Sequence, residues 1–280
     1  MNYRKKFIAK PGEKVHLGKI DPGFTGKHES HDMALPKIQE HIARMDKLQY
    51  LLYADGDQSL LVVLQALDAA GKDGVVRHLF SGMNPQGTTV FGFKQPSQTE
   101  AAHDFLWRAH RLTPGKGEIV IFNRSHYEDV LIVRVHKLVD KSVWSKRYDM
   151  INDFEKILTS NGTRILKFML HISAEEQLAR FKQRLDDPSR HWKISEADYT
   201  ERKLWPEYID AYEEAIERTS TPHAPWYIIP ANHKWFRNLA IAEIIADTLD
   251  EMGLKLPPTH VDIEKIRSRY HDAEQKQSQS

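Results

Sequence analysis

Two short stretches of this 280-residue chain hold side chains whose types and order suit phosphate chemistry. The first is Ala66-Leu67-Asp68-Ala69-Ala70-Gly71-Lys72-Asp73-Gly74. The small residues Ala69, Ala70, Gly71 and Gly74 let a backbone pass close to phosphate oxygens. A helix beginning there offers free N–H groups and the positive end of its dipole to an anion. Lys72 can then neutralise a phosphoryl group in transfer. The match to G-x-x-x-x-G-K-[ST] is incomplete, with Ala66 at the first Gly and Asp73 at the Ser/Thr that holds magnesium. A tight turn ending in Gly-Lys is the competing reading. Asp68 is repelled by polyanions unless a cation bridges them. Mg²⁺, which prefers carboxylate and phosphate oxygens, supplies that bridge. A helix-capping Asp68 is the plainer alternative.

The second stretch is Asn123-Arg124-Ser125-His126-Tyr127-Glu128-Asp129. Arg124 can fork onto phosphate oxygens. A polar residue such as Asn123, ending a buried strand beside a phosphate loop, stands where a metal-ordering group belongs. His126 reads as a packing or hydrogen-bonding histidine rather than a base. Further on, Arg180, Lys182, Arg184, Arg190, Lys193, Arg202 and Lys203 form a basic run. It is either a solvated helix face or a set of cations that holds an anion. Trp192 within it reads as a packing anchor rather than a stacking platform.

Strands must position these loops. Leu60-Leu61-Val62-Val63-Leu64 is a continuous apolar run bounded by turn residues, the pattern of a strand buried on both faces. Runs at 88–93, 118–122, 165–172 and 226–229 look the same. Helical spacing runs from Leu35 to about Tyr53, where Asp55-Gly56-Asp57 stops it. It recurs from near Val75 and around 99–112, 142–159, 174–185, 196–218 and 235–252. The alternation predicts an α/β fold: a parallel five-stranded sheet flanked by helices in three layers. Ligands bind such sheets at the carboxyl ends of the strands. Both candidate loops fall there. Residues 1–33 show no period and read as an N-terminal arm. Residues 34–260 form the main domain, and 261–280 read as a polar, frayed tail.

Lys+Arg 40 against Asp+Glu 39 leaves a formal charge of +1. That is unlike a protein built to coat nucleic acid, and no nucleic-acid partner is expected. The chain has no cysteine, which removes disulfides and thiolate metal sites and fits a cytoplasmic protein. No stretch approaches the roughly 20 apolar residues of a membrane span, and no membrane partner is expected.

Four segments in order resemble polyphosphate kinase family 2. They are Val62 through Gly74, Gly117 through Glu128, Leu185-Asp186-Asp187-Pro188-Ser189-Arg190-His191-Trp192-Lys193, and Ala224 through Asn232. The resemblance implies a P-loop kinase core with a helical lid at about 180–203. It implies Mg²⁺ dependence and reversible phosphoryl transfer between inorganic polyphosphate and adenine or guanine nucleotides, by a homo-oligomer. Carried over, Lys72 holds the phosphates in transfer, and Asp68 organises the metal and nucleotide phosphates. Arg124 contacts phosphate, while Arg184, Arg190 and Lys193 act from the lid. Many members have Asp at the position of Asn123. Members specialised for nucleoside diphosphates tend to have Asn where this chain has Glu128, so the resemblance points to the branch that accepts both AMP and ADP. An ATP-dependent nucleotide or small-molecule P-loop kinase is the alternative.

Overall fold

In the computed structural model, which describes residues 2–28 and 30–278, all five apolar runs form strands. The strands are β1 Ile8–Ala9, β2 Ser59–Gln65, β3 Thr88–Gly92, β4 Ile119–Asn123, β5 Thr163–His171 and β6 Trp226–Pro230, in the order β1-β6-β5-β2-β4-β3. β2 lies at the centre, parallel to β4 and β5, and every residue in it is buried. Its side chains alternate between two cores. Leu60, Val62 and Leu64 pack with Ile38, Met45 and Leu239 from helices His31–Asp55 and Lys234–Glu251. Leu61 and Val63 pack with Trp144, Ile151 and Ile216 from helices Lys141–Ser160 and Trp205–Thr219. Helices therefore cover both faces, which leaves the strand ends for function.

The sheet has six strands rather than five, and it is mixed. β1 pairs antiparallel with β6, setting Ile8 opposite Tyr227 and Ala9 opposite Trp226. The N-terminal arm is thus structured. A five-residue helix, Tyr3–Phe7, and a two-residue strand are too short to leave a periodic pattern. Tyr3 and Phe7 both pack edge-on against Phe236. Further along, Asn232 N donates to Pro22 O (3.1 Å) and Leu17 N to Glu213 Oε1 (2.7 Å).

Other differences are local. The pattern at 99–112 breaks into Gln98–Ala101 and Trp107–His110, where the Asp104 side chain accepts from Leu106 N and turns the chain. The pattern at 196–218 divides into Glu196–Arg202 and Trp205–Thr219, with Pro206 in the first turn of the second helix. The tail is helical from Ile263 to Ser278, and exposed throughout. Among the described residues, no helix is long and apolar enough to cross a membrane.

Candidate active site

The loop 66–71 carries the chain from β2 into the helix Lys72–Leu79. Ala69 (φ 62°) and Gly71 (φ 99°) adopt left-handed conformations. At Gly71 the left-handed backbone favours glycine, and a Cβ there would force the Arg237 guanidinium to move. Lys72 is buried, and its Nζ donates to Ala66 O (2.8 Å). Burial lowers the pKa of its ammonium, Arg124 adds to the shift, and Asp68, Glu128 and Asp73 oppose it.

Two buried arginines take up the neighbouring carbonyls. Arg180 Nη1 donates to Ala69 O and Ala70 O (both 2.9 Å), and Nη2 donates to Ala231 O (2.6 Å) and Asn232 O (3.0 Å). Arg237 Nη1 donates to Ala70 O (3.1 Å). Burial, reinforced by Arg180, brings the Arg237 guanidinium down to about 9. With these carbonyl oxygens satisfied by cations, the loop repels a phosphate less.

The β4 end supplies the opposing wall. Asn123 Nδ2 donates to Asp73 Oδ1 (2.7 Å). A carboxylate at position 123 would face the Asp73 carboxylate instead, so this pairing suits Asn. Arg124 (φ 61°) is a non-glycine residue in the left-handed region, a backbone strain that recurs at functional sites. Its Nη2 donates to Asp68 Oδ1 (3.1 Å). Against the lowering effect of burial, Glu128 and Asp68 raise the Arg124 pKa. Burial in turn raises the Glu128 carboxyl, opposed by Arg124 and Lys72.

Two cavities meet at this wall. The larger, of about 900 Å³, is lined by Ala69, Gly71, Lys72, Asp73, Gly74 and Asn123 on one side and by Arg184, Arg190 and Lys193 of the segment after β5 on the other. Arg77, Lys94 and Lys234 add further positive charge. The smaller, of about 260 Å³, is lined by Glu128, Trp205, Tyr208 and Tyr212. Asp68, Arg124 and Glu201 line both. Ala70 lines neither; it is buried and contributes its carbonyl to Arg180 and Arg237.

Of the cations in the segment 184–193, Arg184 is partly covered, facing Asp198 (3.8 Å) and the Phe181 ring, while Arg190 and Lys193 are exposed. Arg184 Nη1 donates to Lys193 O (3.0 Å), Arg190 pairs with Asp187 (2.8 Å), and Lys193 Nζ lies 4.8 Å from the Trp192 ring centroid. Trp192 is 78% exposed, so it is not the packing anchor the sequence suggested.

A sequence model of polyphosphate kinase 2 matches residues 28–257. The chain belongs to the polyphosphate kinase 2 family. It is 48% identical over 263 residues to the AMP/ADP-polyphosphate phosphotransferase of Meiothermus ruber, covering 94% of this chain and 98% of the relative. It is 45% identical over 271 residues to the ADP-polyphosphate phosphotransferase of Rhodopseudomonas palustris, covering 91% and 92%. The crystal structure of polyphosphate kinase 2 from Arthrobacter aurescens TC1 superposes with a TM-score of 0.93 at 40% identity, covering 97% of each chain.

In this polyphosphate kinase 2 chain, the basic run resolves into different jobs. Arg180 braces the phosphate loop, and Arg202 donates to Ala174 O and Gln177 Oε1. Lys182 is exposed and paired with Asp186. Sequence reading missed Arg237, which bonds the loop, and Glu201 and Tyr208, which line the cavities, because nothing in their local pattern points there. It also passed over a signal in β5, where Lys167 interrupts an apolar run. Lys167 is fully buried and donates to Glu155 Oε2 (2.6 Å), Tyr127 Oη (2.9 Å) and Thr219 O (2.7 Å). That network anchors Tyr127, between Arg124 and Glu128. His126 is fully buried as well, as its packing reading implied.

Among the described residues, no three His, Cys, Asp or Glu side chains cluster to cage a metal. This donor set still fits Mg²⁺, which is commonly held by one or two carboxylates together with substrate phosphates and water. Asp68 and Glu201 both line the two cavities, and Asp68, in the loop after β2, offers a carboxylate that would suit it.

Proposed function

We propose that this chain catalyses reversible transfer of a phosphoryl group between inorganic polyphosphate and nucleotides, accepting AMP and ADP, with Mg²⁺ as cofactor. The observation that carries this reading is the shared wall. A large cationic cleft and a smaller cavity meet at Asp68 and Arg124, beside Lys72. A polyphosphate needs several cations along a groove, which the larger cleft supplies. The acceptor phosphate approaches from the side of Glu128. Phosphoryl transfer needs little covalent help from a protein; it needs positioning and charge neutralisation. Lys72 and Arg124 neutralise the group in transfer, and Arg180 and Arg237 hold the loop that positions Lys72. Asp68 would hold Mg²⁺, which would supply further neutralisation of the phosphate oxygens. Arg184, Arg190 and Lys193 close over the cleft and exclude water, which limits hydrolysis. The acceptor base is adenine or guanine, and the protein acts as a cytoplasmic homo-oligomer.

The test is incubation of pure protein with Mg²⁺, polyphosphate and AMP or ADP, without ATP, followed by resolution of the nucleotides. ADP and ATP should form. Turnover that requires ATP as donor and fails with polyphosphate would point instead to an ordinary small-molecule kinase.

A further inference from the structure

The 16-residue helix Ile263–Ser278 lies beyond the catalytic sheet, and every one of its residues is exposed. A helix of this length is marginal in water unless an apolar face is covered. Its apolar residues are not scattered. Ile263, Ile266, Tyr270 and Ala273 recur at spacings of three and four, the a and d positions of a heptad. Ile263, Ile266 and Tyr270 are 45%, 48% and 63% exposed.

We propose that this helix pairs, parallel and in register, with the same helix of a second copy of the chain. Charge selects both the partner and the direction. In a parallel pair, a g residue meets the e residue five positions further along the other strand. Arg269 at g then meets Glu274 of the second copy. Asp262, whose Oδ1 caps the helix by accepting from Lys265 N, meets Arg267. Both contacts are attractive, and twofold symmetry doubles them. An antiparallel pair aligned on the same apolar residues sets Ile263 against Ala273 and Ile266 against Tyr270. It crowds Arg267 and Arg269 of both copies together at its middle. Within a single helix, residues five apart are not neighbours, so the match of Arg269 to Glu274 does nothing there. The ion pairs inside this helix are Arg267 with Glu264 (3.1 Å) and His271 with Glu274 (3.5 Å).

The chain has no cysteine, so a single introduced thiol reports one position. A273C, at a d position, should cross-link two full-length chains under mild oxidation. S268C, on the outer face, should do so on the order of tenfold more slowly, because its thiols stand too far apart. In the A273C background, Arg269→Glu should slow cross-linking several-fold, and adding Glu274→Arg should restore it. Cross-linking of A273C no faster than S268C overturns the pairing. A double reversal as slow as Arg269→Glu alone overturns the parallel register. Reduced variants should keep the parent's thermal midpoint for the catalytic core, so any loss of cross-linking reads the helix pair rather than misfolding.

Discussion

Lys72, Asp68 and Glu128 are close together but differ in surroundings, and so should differ in their variants. Lys72 is buried against its own loop, with Nζ on Ala66 O. Lys72→Ala removes a preorganised cation worth about 3–4 kcal/mol at the transition state, or roughly a few hundred- to thousandfold in turnover. One hydrogen bond to the loop is a small part of the fold, so the unfolding midpoint should move little. Turnover and thermal unfolding of the same preparation check both statements. Asp68→Asn keeps the shape and removes the charge that offsets Arg124. A severe loss is expected, only partly recovered by raised Mg²⁺ in a titration; full activity at ordinary Mg²⁺ would remove the metal assignment. Glu128 lines only the smaller cavity. Glu128→Asn should therefore slow AMP phosphorylation more than ADP phosphorylation. Equal slowing of both acceptors would make it a general catalytic or structural group.

The elements around the site divide into a held part and a loose part. In the segment 184–193, Arg190 and Lys193 are exposed, and Arg184, partly covered, bonds Lys193 O. Arg184→Ala and Lys193→Ala should weaken polyphosphate use, with the deficit growing as salt screens the remaining contacts. Identical behaviour of mutant and parent across a salt series would make these cations a merely solvated face. The held part is the join between β5 and the helix Lys141–Ser160, made by Lys167 and Glu155. Although burial opposes ionisation, the Lys167 ammonium, with help from His126, keeps the Glu155 carboxyl below its ordinary range. A carboxyl depressed in the folded state stabilises the fold above the unfolded value. That stability is lost as pH falls through the folded value. Lys167→Met strands a buried charge and should cost about 3–5 kcal/mol in denaturant unfolding. Adding Glu155→Leu should recover much of that loss, and the double variant should lose less stability than the parent on acidification below the ordinary glutamate range. A double variant no more stable than the single would show that the pair contributes through packing alone.

Across the whole molecule, what could be read in the sequence tracks how local the cause is. The five parallel strands and most helices follow from apolar runs and helical spacing within each segment. Lys72 is local as well, its Nζ bonding Ala66 O within its own loop. Arg237 was illegible because it reaches Ala70 from the far end of the chain, and Arg180 because a brace and a lid cation look alike in a basic run. The arm was illegible for a different reason, since the Tyr3, Phe7 and Phe24 cluster joins the core through Phe236, far along the chain. If the arm belongs to the core, Phe7→Ala should lower the global unfolding free energy by about 3–5 kcal/mol. If it is an appendage, only the amides of the first residues should exchange faster while the global transition stays put. Hydrogen exchange and denaturant unfolding on one variant separate the two.

The pairing of β1 with β6 also bears on the order of events at the ribosome. Ile8 is made early, yet its partner Tyr227 is made after every other strand. For most of synthesis the arm lacks its contacts with β6 and with Phe236. The edge of β5 that receives β6 stays open just as long. An unpaired strand edge and uncovered aromatics are what make a nascent chain prone to aggregation. Sheet closure at this edge is a long-range event, slow by its separation along the chain. Emergence of β6 and of the helix Lys234–Glu251 that follows it is therefore the point at which this protein passes from a chain that needs protection to one that can close its own sheet.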